Sequence, residues 1–358
     1  MTKLSCLVLS TAAIILGFLA SPVRAEFVYV VNQNNNVSAY SIDDKTGALA
    51  PVPGSPFATG ELPSSVAVDP TSQFAYVTNA GGNNVSGYSI NHNTGALTLV
   101  PGSPFATGSY PTSVAVDPTA PLVYVTNDSS SNVSAYSIDQ TTGALTPVPG
   151  SPFVTAAEPS SVAVDAKGRF AYVIVDDSAV SAYSIDQTTG ALTLVPGSPI
   201  ATGSEPCSVA VDPKARFVYV TNFYGYNISG YRIDQTTGAL TNVRGSPFKT
   251  GEEPISVALD PTAHFAYVAD DASHGVSAYR IDDQTGDLRR ISGSPFKTGI
   301  YPKAVAVDPT GRFAYVVNYF DNTVSGYNIR HQTGALKPVA GSPFATGSGP
   351  FAIAITGD

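Results

Sequence analysis

The side chains in this sequence able to move protons or hold developing charge are four histidines, a scatter of arginines and a set of regularly placed glutamates. Hydrolytic chemistry needs an acid or base within hydrogen-bond reach of the reacting group, and a donor that stabilises the charge formed. His274, Glu253 and Arg244 are the residues assigned to those roles if the chain is catalytic, although no local motif links them. The sequence has no zinc-ligand spacing, serine elbow, glycine-rich phosphate loop or basic aromatic stripe. Asp176-Asp177 and Asp270-Asp271 are paired acids without the spaced oxygen ligands of a calcium loop, so neither metal nor cofactor is expected.

What must position these residues is a repeat. One segment type begins at Phe27, Phe74, Leu122, Phe170, Phe217, Phe265 and Phe313, with spacings of 47, 48, 48, 47, 48 and 48 residues. Each copy reads as four short strands, named A (Ser113-Val114-Ala115-Val116), B (Phe74-Ala75-Tyr76-Val77-Thr78), C (Val85 to Ile90) and D (Ala96 to Val100). Asp69-Pro70 and Asp139-Gln140-Thr141-Thr142-Gly143 supply the turns, the glycine taking a positive φ. Small and large residues alternate in the A strands with little charge, the pattern of a sheet covered on both faces. The reading is all-β: a seven-bladed β-propeller of four-stranded antiparallel blades. The first copy lacks an A strand and the chain ends in a spare one, Phe351 to Ile355. That C-terminal strand is expected to pair beside the N-terminal strand and close the ring, removing two sheet edges.

Tyr76-Val77-Thr78-Asn79, Tyr124-Val125-Thr126-Asn127 and Tyr219-Val220-Thr221-Asn222 resemble the repeat of the YVTN β-propeller family. The Ser-Val-Ala-Val-Asp-Pro and Thr-Gly-Ala-Leu segments are similar to those of seven-bladed lactonase-like propellers. The resemblance covers residues 27 to 358 and implies the fold. The functions it implies are diverse, including lactone hydrolases, cycloisomerase-type enzymes and surface-layer proteins, and fold alone does not choose among them. The lactonase-like enzymes, as the resemblance implies, work with histidine, arginine and glutamate at the channel mouth.

Antiparallel order puts the A-B and C-D turns on one rim and the B-C and D-A loops on the other. The second rim varies between copies, as a recognition surface on a rigid scaffold does. Around its mouth the residues before the proline that leads into strand A run Leu62, Tyr110, Glu158, Glu205, Glu253, Tyr301 and Gly349. Those after it run Ser64, Thr112, Ser160, Cys207, Ile255, Lys303 and Phe351. Glu158, Glu205 and Glu253 are expected to form an acidic arc facing Tyr110, Tyr301 and Lys303, a setting for a small molecule, glycan or protein partner. His92, His264 and His331 fall in turns of the monotonous rim, leaving His274 alone on the variable side. The residues favour a binding or scaffold module at the cell envelope, with hydrolysis or isomerisation of a lactone as the alternative.

Lys3, the apolar run Cys6 to Ala20 and the Val23-Arg24-Ala25 segment have the layout of a secretory signal cleaved after Ala25. The apolar core is shorter than the ~20 residues of a spanning helix. Residues 1–25 are therefore read as a signal peptide and 26–358 as a single exported domain, periplasmic, surface-bound or extracellular, with no membrane span. Without the signal, 16 basic and 27 acidic side chains remain, a formal charge of −11 that disfavours nucleic acid. Cys207 is then the only thiol, so no internal disulfide can form. A phosphorylated sugar lactone, an anionic cytoplasmic metabolite, suits neither that charge nor export.

Overall fold

The computed structural model describes residues 26–357, so the signal-peptide reading of residues 1–25 lies outside the described residues. Seven antiparallel sheets follow one another around an axis, each repeating the order A-B-C-D from the inside out. Blade 2 is representative: A is Pro63–Val68, B is Phe74–Asn79, C is Asn84–Ile90 and D is Leu97–Leu99. Blade 1 is composite. Its A strand, Pro350–Ile355, pairs with Phe27–Asn32, aligning Val28 with Ile355 and Val31 with Ala352. Phe27 N–H also donates to Thr356 Oγ1 at 2.8 Å, and Thr356 N–H to the Phe27 carbonyl at 3.0 Å.

Each blade also carries a fifth strand of two residues, which the four-strand reading of the sequence did not include. In blade 2 it is Phe105–Ala106, paired with Val85 and Asn84 at the start of strand C. Strand D covers only the far half of C. Between the two short strands, Ser103 Oγ accepts the Gly87 N–H at 3.0 Å, so the outer edge of C is occupied along its length. The recurring Gly-Ser-Pro segment, Gly54-Ser55-Pro56 to Gly341-Ser342-Pro343, is the sequence trace of this return.

The core is divided among the blade interfaces. Seven apolar clusters form between neighbouring blades, the one between blades 7 and 1 joining Val28 and Val30 to Phe313, Tyr315 and Val317. The strand covered on both faces is B, buried at every position, whereas the A strands are half-open to the axial channel. That difference follows from stacking: B lies inside a blade–blade sandwich, while A is the inner edge.

Tyrosines stitch the sandwich. Tyr76, fully buried in strand B, donates its hydroxyl to the Gly143 carbonyl in the C-D turn of the next blade at 2.9 Å. Tyr315 of blade 7 does the same to Gly47 of blade 1 at 2.8 Å, completing the circle. Burial pushes the pKa of both hydroxyls up, so they remain donors. Gly143 has φ +77°, and a methyl there would run into the Phe74 ring, which explains the glycine of the Thr-Gly-Ala-Leu turn.

Candidate functional site

The variable rim is built by tying two loops together in each blade. The first residue of every B-C loop donates its N–H to the carbonyl of the residue before the A-strand proline, at 2.8–3.1 Å, as in Asp176 to Glu158 and Asp271 to Glu253. That pre-proline residue adopts a positive φ in six blades, including Tyr110 at 56°, Glu205 at 55° and Tyr301 at 53°. A non-glycine residue holds this conformation only where its surroundings fix it. A second bond does so: Asn35, Asn83 and Asn322 accept the N–H of Leu62, Tyr110 and Gly349 on the following blade, at 3.1, 2.8 and 2.8 Å.

These loops enclose a cavity of about 570 Å³ at the axis. All seven residues that follow the prolines line it, from Ser64 to Phe351. Of the pre-proline series, Leu62, Tyr110, Glu158 and Glu205 line it as well. Glu253, His274, Tyr301 and Arg244 do not. Arg244 is exposed in the turn between strand D and the short fifth strand, which holds it on the outside of blade 5. The triplet His274, Glu253 and Arg244 is therefore not brought together at the mouth.

The acidic arc exists in a different composition. Asp128, Glu158, Asp176, Asp177 and Glu205, from blades 3 to 5, face the cavity, and Lys303 enters from blade 7. Asp176 lines it at the position that Gln33, Ala80 and Asp128 hold in blades 1 to 3, and Asp177 is added in blade 4, where the B-C loop forms a 3-10 turn, Asp176–Ser178. Asp128 and this pair were the mouth acids that the sequence reading passed over. Among the described residues, no three His, Cys, Asp or Glu side chains converge as a metal site.

Blade 4 also leaves a hydroxyl free. Ser64 and Thr112 bond to the threonine hydroxyls of Thr78 and Thr126 at 2.8 and 2.9 Å, but blade 4 has Ile174 at that place. Ser160 Oγ, buried in the cavity wall, consequently has no hydrogen-bond partner among the described residues. Lys303 Nζ pairs with Asp271 Oδ2 at 2.8 Å and lies 5.8 Å from the Tyr319 ring centre. Cys207 lines the same cavity, but burial, with the Glu205 charge beside it, pushes its thiol up to about 12 and keeps it protonated.

His274 and Tyr301 meet edge to face beside the mouth, with ring centres 5.1 Å apart. His274 Nδ1 lies 3.3 Å from the Tyr301 N–H and 3.0 Å from the Asp271 carbonyl. It occupies the position of the asparagine clamps, with both contacts to backbone.

The sequence matches the family model described as lactonase, 7-bladed β-propeller, over residues 22–158 and 149–350. The chain belongs to this lactonase family. No curated protein matches this lactonase-family propeller at a significant level. Its solved structural neighbours include a periplasmic gluconolactonase of Pseudomonas aeruginosa, with 17% identity, TM-score 0.78, and coverage of 93% of this chain and 99% of that one. A candidate 6-phosphogluconolactonase of Bacteroides uniformis gives 15% identity, TM-score 0.80, and coverage of 93% and 99%. A protein of Lactobacillus plantarum gives 18%, 0.76, and coverage of 93% and 99%. At such identities the likeness is one of fold.

Blade 6 of the lactonase-family propeller carries one further departure. Five blades end strand B in a buried asparagine whose Nδ2 donates to a strand-C serine, as Asn79 does to Ser86 at 2.9 Å. Blade 6 has Asp270, which accepts from Ser277 Oγ at 2.6 Å and leaves Oδ1 without a hydrogen-bond partner among the described residues. Burial raises its pKa to about 7 despite Arg290, whose Nη2 donates to Ser277 Oγ at 3.0 Å.

Proposed function

We propose that this protein hydrolyses a neutral lactone at the axial mouth. The observation that carries the reading is the axial cavity in which carboxylates of blades 3 to 5 stand with Lys303, in a chain of the lactonase family. A carboxylate of the arc holds water and takes its proton as the oxygen attacks the lactone carbonyl. The Lys303 ammonium favours the negative charge that develops on that carbonyl oxygen. The ring oxygen leaves with a proton, giving a hydroxy acid. Its new carboxylate is repelled by the acids already present, which favours product release. A phosphorylated lactone would bring its charge into the same field on entry, so the acidic mouth selects neutral rings. Export belongs to the same proposal and is supported by the layout of residues 1–25.

Turnover of a panel of neutral aliphatic and sugar lactones by the purified protein tests this. Lys303→Met is expected to lower kcat about a hundredfold. A second reading, a binding module for an uncharged ligand, is favoured by the lack of histidine and arginine among the cavity-lining residues. Saturable binding of intact lactone without turnover would select it.

A further inference from the structure

On the opposite rim, the repeat itself shows which ligand chemistry fits a second cavity. In blade 4, Arg169 lies over the Phe170 ring at 5.1 Å, pairs with Asp165 Oδ2 at 3.0 Å, and donates to the Gln235 carbonyl in the next blade's C-D turn at 2.8 Å. In blade 5, Arg216 lies 5.2 Å from the Phe217 ring, pairs with Asp212 at 3.0 Å and donates to the Asp283 carbonyl at 2.7 Å. Arg312 of blade 7 covers Phe313 at 5.2 Å and reaches the Asp44 carbonyl of blade 1. Three guanidinium groups thus fill equivalent interblade slots: aromatic below, acidic turn beside, carbonyl across.

Between blades 2 and 3 the slot is present and the arginine is not. Gln73 stands at the arginine position before Phe74, and Gln140 at the position of Gln235 and Asp283. These residues line a cavity of about 410 Å³, within the range of small-molecule sites. Its walls include two buried carboxylates, Asp69 and Asp117, and no basic side chain. Asp117 is fully buried. Its Oδ1 is used by Thr119 and the Ala120 N–H, at 2.8 to 3.0 Å, while Oδ2 has no hydrogen-bond partner among the described residues. The counterpart of Asp165 and Asp212 in this slot is Asp69, whose oxygens are taken by Thr71 and the Phe74 N–H, so the open acceptor in the wall is Asp117 Oδ2, from the A-B turn of blade 3.

We infer that this cavity is a guanidinium-binding site, taking an arginine side chain supplied in trans. The ring of Phe74 offers the cation–π face, the Gln140 carbonyl the far acceptor, and the buried carboxylates the charge that a neutral ligand would leave unanswered. The inference is independent of lactone hydrolysis, because cavity and mouth lie on opposite rims.

Calorimetric titration of the purified protein with N-acetyl-arginine amide tests it, beside the citrulline and lysine analogues. Saturable binding of the arginine compound, at least tenfold tighter than of neutral citrulline, is expected. A short peptide with one internal arginine separates a peptide partner, which binds tighter still, from a free guanidinium metabolite, which does not need the flanking chain. Gln73→Arg, which copies blades 4 and 5, should abolish binding and raise Tm. Asp117→Asn should weaken binding at least tenfold. Equal affinity for citrulline, no saturation by arginine, or unchanged binding in Gln73→Arg would overturn the inference.

Discussion

The Nδ1 atom of His274 stands where Asn35, Asn83 and Asn322 place an amide oxygen, against a backbone N–H of the following blade. An unprotonated Nδ1 can accept that N–H, and a protonated one can donate to the Asp271 carbonyl, so either form serves loop geometry. His274→Asn is accordingly expected to keep lactone kcat/KM within about twofold and Tm nearly unchanged, read by initial rates and calorimetry. A loss of several hundredfold with intact fold would return this histidine to the catalytic set. At this scale the sequence was half legible. Spacing from the proline put Ser160 and Lys303 at the mouth, because the A strand starts there in every blade. It misplaced Arg244, because the segment after strand D reads as free loop once the short fifth strand is overlooked. It also passed over Asp128, because ring positions were counted from the proline and this acid sits in the facing loop.

Strands B and C of blade 6 show how a single change within an otherwise regular element alters energetics. Asp270 replaces an asparagine that would both donate and accept, and its buried carboxyl titrates near 7. Its folded pKa is raised above the unfolded value. The native state therefore holds a proton that the unfolded chain has lost between about pH 4 and pH 7. Stability falls as pH rises through that window, and the loss remains above it. Asp270→Asn should flatten this slope, matching the wild type near pH 4 and exceeding it near pH 8 by on the order of 4 kcal/mol. Urea unfolding at the two pH values measures the difference. A variant equally destabilised at both would refute the assignment. The substitution itself is visible as Tyr-Val-Ala-Asp against Tyr-Val-Thr-Asn, but its burial is not. Strand B alternates no polar residues precisely because it has no open face, a property the sequence reading attached to strand A.

For the whole molecule the decisive contact joins the two ends. The strand Pro350–Ile355 covers the inner edge of Phe27–Asn32 and adds Ile353 and Ile355 to the interface of blades 7 and 1. Removing residues 350–358 exposes that edge and opens the apolar cluster beside it. Calorimetry should then show Tm lowered by at least about 10 °C, or the protein lost to aggregation. An unchanged transition would contradict closure as the source of stability. This much was legible from counting strands, since an unpaired strand at one end and a missing one at the other admit one pairing. The function was less so, because the charged groups of the mouth come from blades 3, 4, 5 and 7, which no local motif connects.

The charge of that mouth is what the proposed activity depends on. Its most direct test is the ratio of kcat/KM for a neutral sugar lactone to that for its 6-phosphorylated form, measured at low and at high salt. The acidic arc predicts a ratio well above tenfold at low salt that shrinks as the field is screened. A preference for the phosphorylated lactone, or a ratio near one at every ionic strength, would contradict it.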